Sequence, residues 1–294
     1  MPAFLMLSLA GARLTASARQ QPNPASAHTQ ASVDNRPLPD IPTLLRDSSR
    51  NQRALEEIRK LYTCHLSEEE EKTDSRGTVK SRTIKDYDVF YIGDDEVLHL
   101  TGKDGKPLTG EEKKKEDERF SKEFDKLKKK QAELASDPKK KAKQQEEEDA
   151  EISDFLRAEK FTNPRRVSLN GRDLIAFDFS GNEAYKPKKR IERIIQKLVG
   201  EMWVDEKAEQ IVRLEAHFVE SVKVGAGLLG SLSKGSNLIF EQKQINDEAW
   251  LPSYVEIHFS GRVTFVKLKG DTIDRYSDYK KFRVATNMSA AGSN

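Results

Sequence analysis

Five histidines, one cysteine and many carboxylates are the side chains from which this sequence would have to build chemistry. The histidines are His28, His65, His99, His217 and His258. None lies at a metal-ligand spacing from another, and neither His-x-x-x-His nor Cys-x-x-Cys occurs. His217 and His258 each follow a glutamate by two positions (Glu215, Glu256), which on a strand sets imidazole and carboxylate on one face. A solvated surface pair is the simpler reading of both; a catalytic dyad would still lack its nucleophile. Cys64 alone permits no internal disulfide. With Tyr62 and Leu66 on its side of a strand it reads as a small buried hydrophobe, the alternative being a reactive thiol. Gly225-Ala226-Gly227 is not followed by Gly-Lys-Ser/Thr and opens no helix, so it is no phosphate loop. There is no Gly-x-Ser-x-Gly elbow. The acidic residues fall in runs that read as solvated surface. No catalytic residue, metal site or cofactor is expected.

The elements that would carry such side chains are mostly strands. At 294 residues and 36% hydrophobic, the chain can bury one sizeable core, with room for an insertion. Its 34% charged residues nearly cancel, to +2, and this balance argues against a nucleic-acid binder. The apolar run Ala3 to Ala10 is far shorter than the roughly 20 residues that cross a bilayer. The small-x-small sequence Ala16-Ser17-Ala18 follows it, so residues 1–18 read as a signal peptide and the mature protein as periplasmic. Residues 19–42, rich in Pro, Ser, Ala, Asn and Gln, read as a disordered leader.

The first part of the folded sheet is expected at 43–110. It opens with a helix from Ser48 to Lys60, then strands at Leu61 to Leu66 and Thr78 to Ile84, then a hairpin turning at Gly93-Asp94-Asp95. Residues 111–160 are an excursion of interleaved charges. Thr109 and Glu112 have capping-box spacing, and Glu111–Lys115, Glu118–Lys122 and Asp125–Lys129 have acid-first i,i+4 spacing. Asp137-Pro138 suits the start of a second helix. Phe120, Phe124, Leu127 and Leu134 form only a thin apolar stripe, so a long charged helical hairpin is expected to project from the sheet. It is either a salt-bridged spacer or a partner-binding arm.

The sheet resumes over 161–284, with a disordered tail at 285–294. Ile175, Phe177 and Phe179 alternate with polar or small residues. Ile191, Ile194, Ile195, Leu198 and Val199 have helical spacing, and Gly200 stands where a C-cap glycine belongs. Met202-Trp203-Val204 and Ile211 to Val219 form a hairpin about Asp205 to Ala208, with Val212, Leu214, Ala216 and Phe218 on one face. Strands follow at Leu238 to Ile245, Tyr254 to Phe259 and Val263 to Leu268. Sequential hairpins and few helices predict an antiparallel sheet in an α+β fold. The apolar, Gly-punctuated run Val224 to Leu232 reads as a loop plugging a barrel end, or as a lid or a contact strip for a lipid surface.

Several of these segments together resemble the bacterial outer-membrane lipoprotein-sorting (LolA/LolB-like) family, in particular its arm-bearing, acidobacterial-type members. They are Phe161-Thr162-Asn163-Pro164-Arg165-Arg166, the Pro187 to Gly200 stretch, Met202-Trp203-Val204-Asp205, Val212-Arg213-Leu214-Glu215-Ala216 and Trp250-Leu251-Pro252. The resemblance implies a curved antiparallel sheet, an incomplete β-barrel with helices over its mouth. It further implies a non-enzymatic carrier or sensor whose hydrophobic hollow takes lipoprotein acyl chains or another amphiphile. The residues expected to line the hollow are Phe177, Phe179, Ile191, Ile194, Ile195, Leu198, Trp203, Leu214, Phe218 and Phe240, with Leu228, Leu229 and Leu232 as lid. Transient membrane contact fits this picture. The alternative is a cell-envelope interaction module acting through residues 111–160 on a protein partner.

Overall fold

The computed structural model describes residues 30–31, 36–74, 78–92, 95–137, 139, 152–169, 171–224, 230–263 and 266–281. The expected signal peptide, the return limb of the arm over 140–151, the tail, and Leu228 and Leu229 of the expected lid lie outside the described residues. Alternating apolar residues and hairpin turns dominate the chain, and they assemble into one 14-stranded sheet. The strands are β1 (Gln30–Ala31), β2 (Tyr62–Thr73), β3 (Val79–Ile92), β4 (Asp95–Lys103), β5 (Lys106–Pro107), β6 (Glu159–Leu169), β7 (Arg172–Gly181), β8 (Leu198–Asp205), β9 (Gln210–Phe218), β10 (Val222–Val224), β11 (Gly230–Leu232), β12 (Asn237–Ile245), β13 (Ala249–Val263) and β14 (Val266–Lys281). Every pairing is antiparallel, in the order β1-β6-β7-β8-β9-β12-β13-β14-β2-β3-β4-β5, and the β10–β11 hairpin joins β13. The helices are α1 (Ile41–Arg59), α2 (Gly110–Ser136), α3 (152–158) and α4 (Arg190–Ile195).

The sheet is open and curved. Val89 on β3 and Phe177 on β7 are far apart in strand order, yet both belong to one buried cluster with Leu44 and Leu45 of α1 and Phe155 of α3. Only a sheet curled around those helices can bring them together. Opposite to this concave side, Val167, Leu174 and Ala176 form a smaller cluster with Trp203 and Val212.

Several elements differ from their sequence expectation. Helix α1 starts at Ile41, seven residues before Ser48, because the Asp40 carboxylate caps it, accepting from the Thr43 N–H at 3.0 Å and the Thr43 hydroxyl at 2.6 Å. Pro42 falls in the first turn, where its missing N–H costs nothing. Within the expected leader, Gln30 and Ala31 pair with Ser168 and Val167, and the Arg166 guanidinium binds the Arg36 and Pro37 carbonyls at 3.0 and 3.2 Å. The acidic run Glu68 to Glu71 is no solvated surface stretch but the second half of β2, a twelve-residue strand.

The largest correction concerns the helix expected from Pro187 to Gly200. Only Arg190–Ile195 is helical; Leu198 and Val199 belong to β8. Strand pairing outweighs the helical spacing, with Leu198 opposite Phe218 and Val199 between Ser180 and His217. Gly200 is therefore no C-cap. A Cβ there would collide with the Glu215 carbonyl oxygen and the Phe179 ring, so glycine permits the close approach of that ring to the strand.

Candidate functional site

The curved sheet encloses its concave face, and the strands fill it unevenly. Over β7, β8, β9 and β12 the inward positions are apolar: Phe177, Phe179, Met202, Val204, Leu214, Ala216 and Phe240. The phenyl rings interlock edge-on, with centroids 5.6 Å apart for Phe155–Phe179 and 5.8 Å for Phe161–Phe177. Of the expected lining residues, Phe177, Phe179, Ile195, Leu214 and Phe240 converge in this core, and Ile191 and Leu198 border it half-buried. Phe218 is buried on the same side of β9 as Leu214 and Ala216, and Ile194 is half-buried on α4. Trp203 is a correction. It lies on the opposite face against Ala176 and Val212, with the Arg213 guanidinium over its ring at 5.8 Å. Val212 departs from the expected face for a related reason. The register slips between Trp203 and Val204, and that bulge turns Val212 away from Leu214 and Ala216. In the lid segment, Leu232 pairs with Val222 and Gly261.

Across β14, β2 and β3 the same concave face turns polar. Register carries it there, because Tyr276 faces Leu66 in the core and Asp274 faces Glu68 one step along. Lys85 of β3 stands opposite Glu68, and its ammonium binds Glu68 at 3.0 Å and Glu70 at 2.6 Å. The Tyr87 hydroxyl lies 3.3 Å from Glu68. Burial, reinforced by Glu70, raises Glu68 despite Lys85, and burial followed by the charges of Glu68, Glu96 and Glu70 raises Asp274 well above the usual carboxylate range. Burial opposes the Lys85 charge, yet Glu70 and Glu68 raise it above the ordinary lysine value. Sequence reasoning missed this cluster. Its signal was Ser67-Glu68-Glu69-Glu70-Glu71-Lys72 facing Lys80-Ser81-Arg82-Thr83-Ile84-Lys85, two runs with complementary charge at strand-pair spacing.

Half-buried Leu238 and Ile257 stand between the two regions, Ile257 opposite Thr272 and Leu238 opposite Ala216. The concave face thus passes within a few strands from interlocked aromatics, through aliphatic side chains still in contact with solvent, to carboxylates and an ammonium.

The convex face carries several histidine–carboxylate pairs, and His258 sits between two carboxylates. His258 bonds Glu256 through Nε2 at 2.6 Å and Asp271 through Nδ1 at 2.8 Å. Hydrogen bonds first to Asp271 and then to Glu256 push its pKa up to about 9. It is an imidazolium at neutral pH, with no lone pair to act as a base. Glu159, at the α3–β6 junction, is 2% exposed, neither carboxyl oxygen has a hydrogen-bond partner, and burial pushes its pKa up to about 9. Among the described residues, no group of three or more His, Cys, Asp and Glu side chains could hold a metal ion, and no helix is long and apolar enough to cross a membrane.

No family model and no curated protein matches the sequence. Among solved structures, a LolA superfamily protein from Nitrosomonas europaea aligns with 81% of this chain and 94% of its own, at 10% identity and a TM-score of 0.31. A DUF1329 family protein from Desulfovibrio piger aligns with 81% of this chain and 92% of its own, at 9% identity and a TM-score of 0.27. Similarity at that level does not assign this chain a family or a ligand.

Proposed function

We propose that this protein is an exported, non-enzymatic half-barrel that binds an amphiphile, such as the acyl chains of a lipoprotein, and acts as its carrier or sensor. The observation that carries this reading is the graded concave face. Apolar chains would lie against Leu198, Leu238 and Ile257, above the aromatic core. The polar end of the ligand would face Glu68, Glu70, Lys85, Tyr87 and Asp274. Each buried methylene would contribute about 0.8 kcal/mol, so a single long acyl chain suffices for useful affinity. Nothing in such binding requires a base, a nucleophile or a metal.

Native mass spectrometry of the mature protein, incubated with a palmitoylated peptide, tests the proposal. The expected result is a one-to-one adduct that disappears when Leu238→Glu and Ile257→Glu are introduced into a protein with unchanged circular dichroism. An apo mass at every ligand concentration, or an adduct indifferent to both substitutions, would overturn it.

A further inference from the structure

The arm is expected to project from the sheet, yet its described helix does not. The 27-residue helix α2, about 40 Å long at 1.5 Å per residue, lies against β4, whose other side pairs with β3. The order of contacts shows that it runs antiparallel to that strand. Glu116 meets Leu100, Arg119 meets Leu98, and Lys130 and Gln131 meet Asp95, the lysine at 2.8 Å and the glutamine at 3.3 Å.

Two of these contacts go to main-chain groups of β4. The Leu100 N–H donates to Glu116 Oε1 at 2.9 Å, and the Leu98 carbonyl accepts from Arg119 Nη2. Beyond them, β5 pairs with this strand only at Gly102 and Lys103. Glu116 and Arg119 also hold each other, with Nε to Oε2 and Nη2 to Oε1 both at 2.7 Å. The pair therefore offers β4 one acceptor and one donor, side by side, as one residue of a neighbouring strand would. Burial would raise the Glu116 carboxyl, but Arg119 and the Leu100 amide outweigh it and hold it below its ordinary value.

The apolar grip is small. Phe120 sits against Phe90 and His99, with centroids 5.5 and 4.6 Å away, and Phe124 packs on Phe120 at 5.7 Å. These side chains, like Leu127 and Leu134, are only half-buried, and His99 adds a 2.9 Å contact to Asp117. A helix held by this little apolar area is removable without opening the core.

We infer that α2 is a detachable strap that closes the β4 edge of the sheet against strand addition, Glu116 and Arg119 standing in for the missing strand. An open edge of this kind accepts any extended chain with free main-chain groups, and a second copy of the protein always supplies one in its own β4. The strap therefore sets whether the half-barrel stays single or pairs edge to edge. This holds whatever the concave face binds.

Hydrogen exchange and light scattering on the full chain test it, with Glu116→Ala/Arg119→Ala as the weakened strap and Lys126→Ala on the exposed side of α2 as control. The Leu100 amide should exchange roughly ten- to a hundredfold faster in the double variant, while amides of β7 and β8 keep their protection. The double variant should also dimerise with rising concentration, and Arg119→Lys alone, which keeps a cationic donor for Leu98, should remain largely monomeric. Protection of Leu100 that does not change overturns the inference, and so does a double variant that stays monomeric with its edge open. General loss of protection in β7 and β8 would show that α2 supports the core, and overturns it as well.

Discussion

The two halves of the concave face follow the same rule of alternation and end in opposite chemistry. On β7, β8 and β9 the inward residues meet α1, α3 and each other, and Phe177 and Phe179 are almost wholly excluded from solvent. On β14 and β2 the inward row goes from Tyr276 and Leu66 to Asp274, Glu68 and Glu70 within four residues. Glu68 and Glu70 bind the Lys85 ammonium, whereas Asp274 keeps a buried oxygen without a hydrogen-bond partner and burial raises it well above the usual carboxylate range. Glu159, placed in the apolar half, has no partner on either oxygen. A glutamate is thus tolerated in one half beside an ammonium and in the other only by holding its proton. The sheet face under α1 and α3 is filled by interlocked apolar side chains, and the stretch beyond them carries a part-buried polar cluster.

That contrast can be broken most severely in the apolar half. Phe177→Ala should cost about 3–5 kcal/mol in urea unfolding, because the void lies among rings that cannot collapse into it. Gly200→Ala should cost about 1–3 kcal/mol in the same measurement, as Phe179 and the Glu215 carbonyl must yield to the new methyl group.

The lone carboxyl sharpens the comparison through pH. The Glu159 pKa rises from 4.5 unfolded to about 9 folded, so the folded state keeps a proton that the unfolded state has released. Stability should therefore fall as pH rises from 4.5 towards 9, by at most about 1.4 kcal/mol per unit from this group. Glu159→Gln should flatten that slope and raise the melting temperature at pH 8, with little change at pH 4. Lys85→Ala in the polar half should have a smaller effect, about 1–2 kcal/mol. It should be larger at pH 8 than at pH 4, where Glu68 and Asp274 are protonated anyway. The smallest effect belongs to the convex face. His258 has a raised folded pKa, so its contribution is complete below pH 6.5 and lost as pH climbs through about 9. His258→Gln should remove that shallow dependence from thermal melts across the window and leave the fold intact.

Much of the sheet was legible because period-two alternation is a local signal. The Ile175–Phe177–Phe179 row and the Asp205 to Ala208 turn read directly from the chain. The turn is held by the Asp205 carboxylate accepting from the Lys207 and Ala208 N–H groups at 3.0 and 2.8 Å. The stretch from Ile191 to Gly200 misled for an equally physical reason. Ile191, Ile194, Ile195 and Leu198 satisfy a helix, but Leu198 and Val199 also satisfy a strand, and only neighbours distant in sequence decide between them. Half of the candidate site was legible in the same way. Phe177, Phe179, Leu214 and Phe240 belong to period-two apolar rows visible within single strands, whereas the Lys85 to Glu68 and Glu70 cluster needs the β2–β3 register, which no single strand displays.

Trp203 marks the limit most clearly. Its strand and its neighbours were evident in the sequence, but the face it takes depends on which of Met202 and Trp203, paired with Phe177 and Ala176 of β7, turns inward. The sequence by itself determined the antiparallel class, the turns, the charged insertion and which residues are apolar enough to be buried. Those follow from short-range periodicity and from the free energy of taking apolar surface out of water. Only the tertiary structure decided which apolar row faces inward, that an acidic run is a strand with a lysine across from it, and that the charged helix lies along an edge. Each depends on register and curvature, which arise from contacts between strands far apart in the chain and are written in no local pattern.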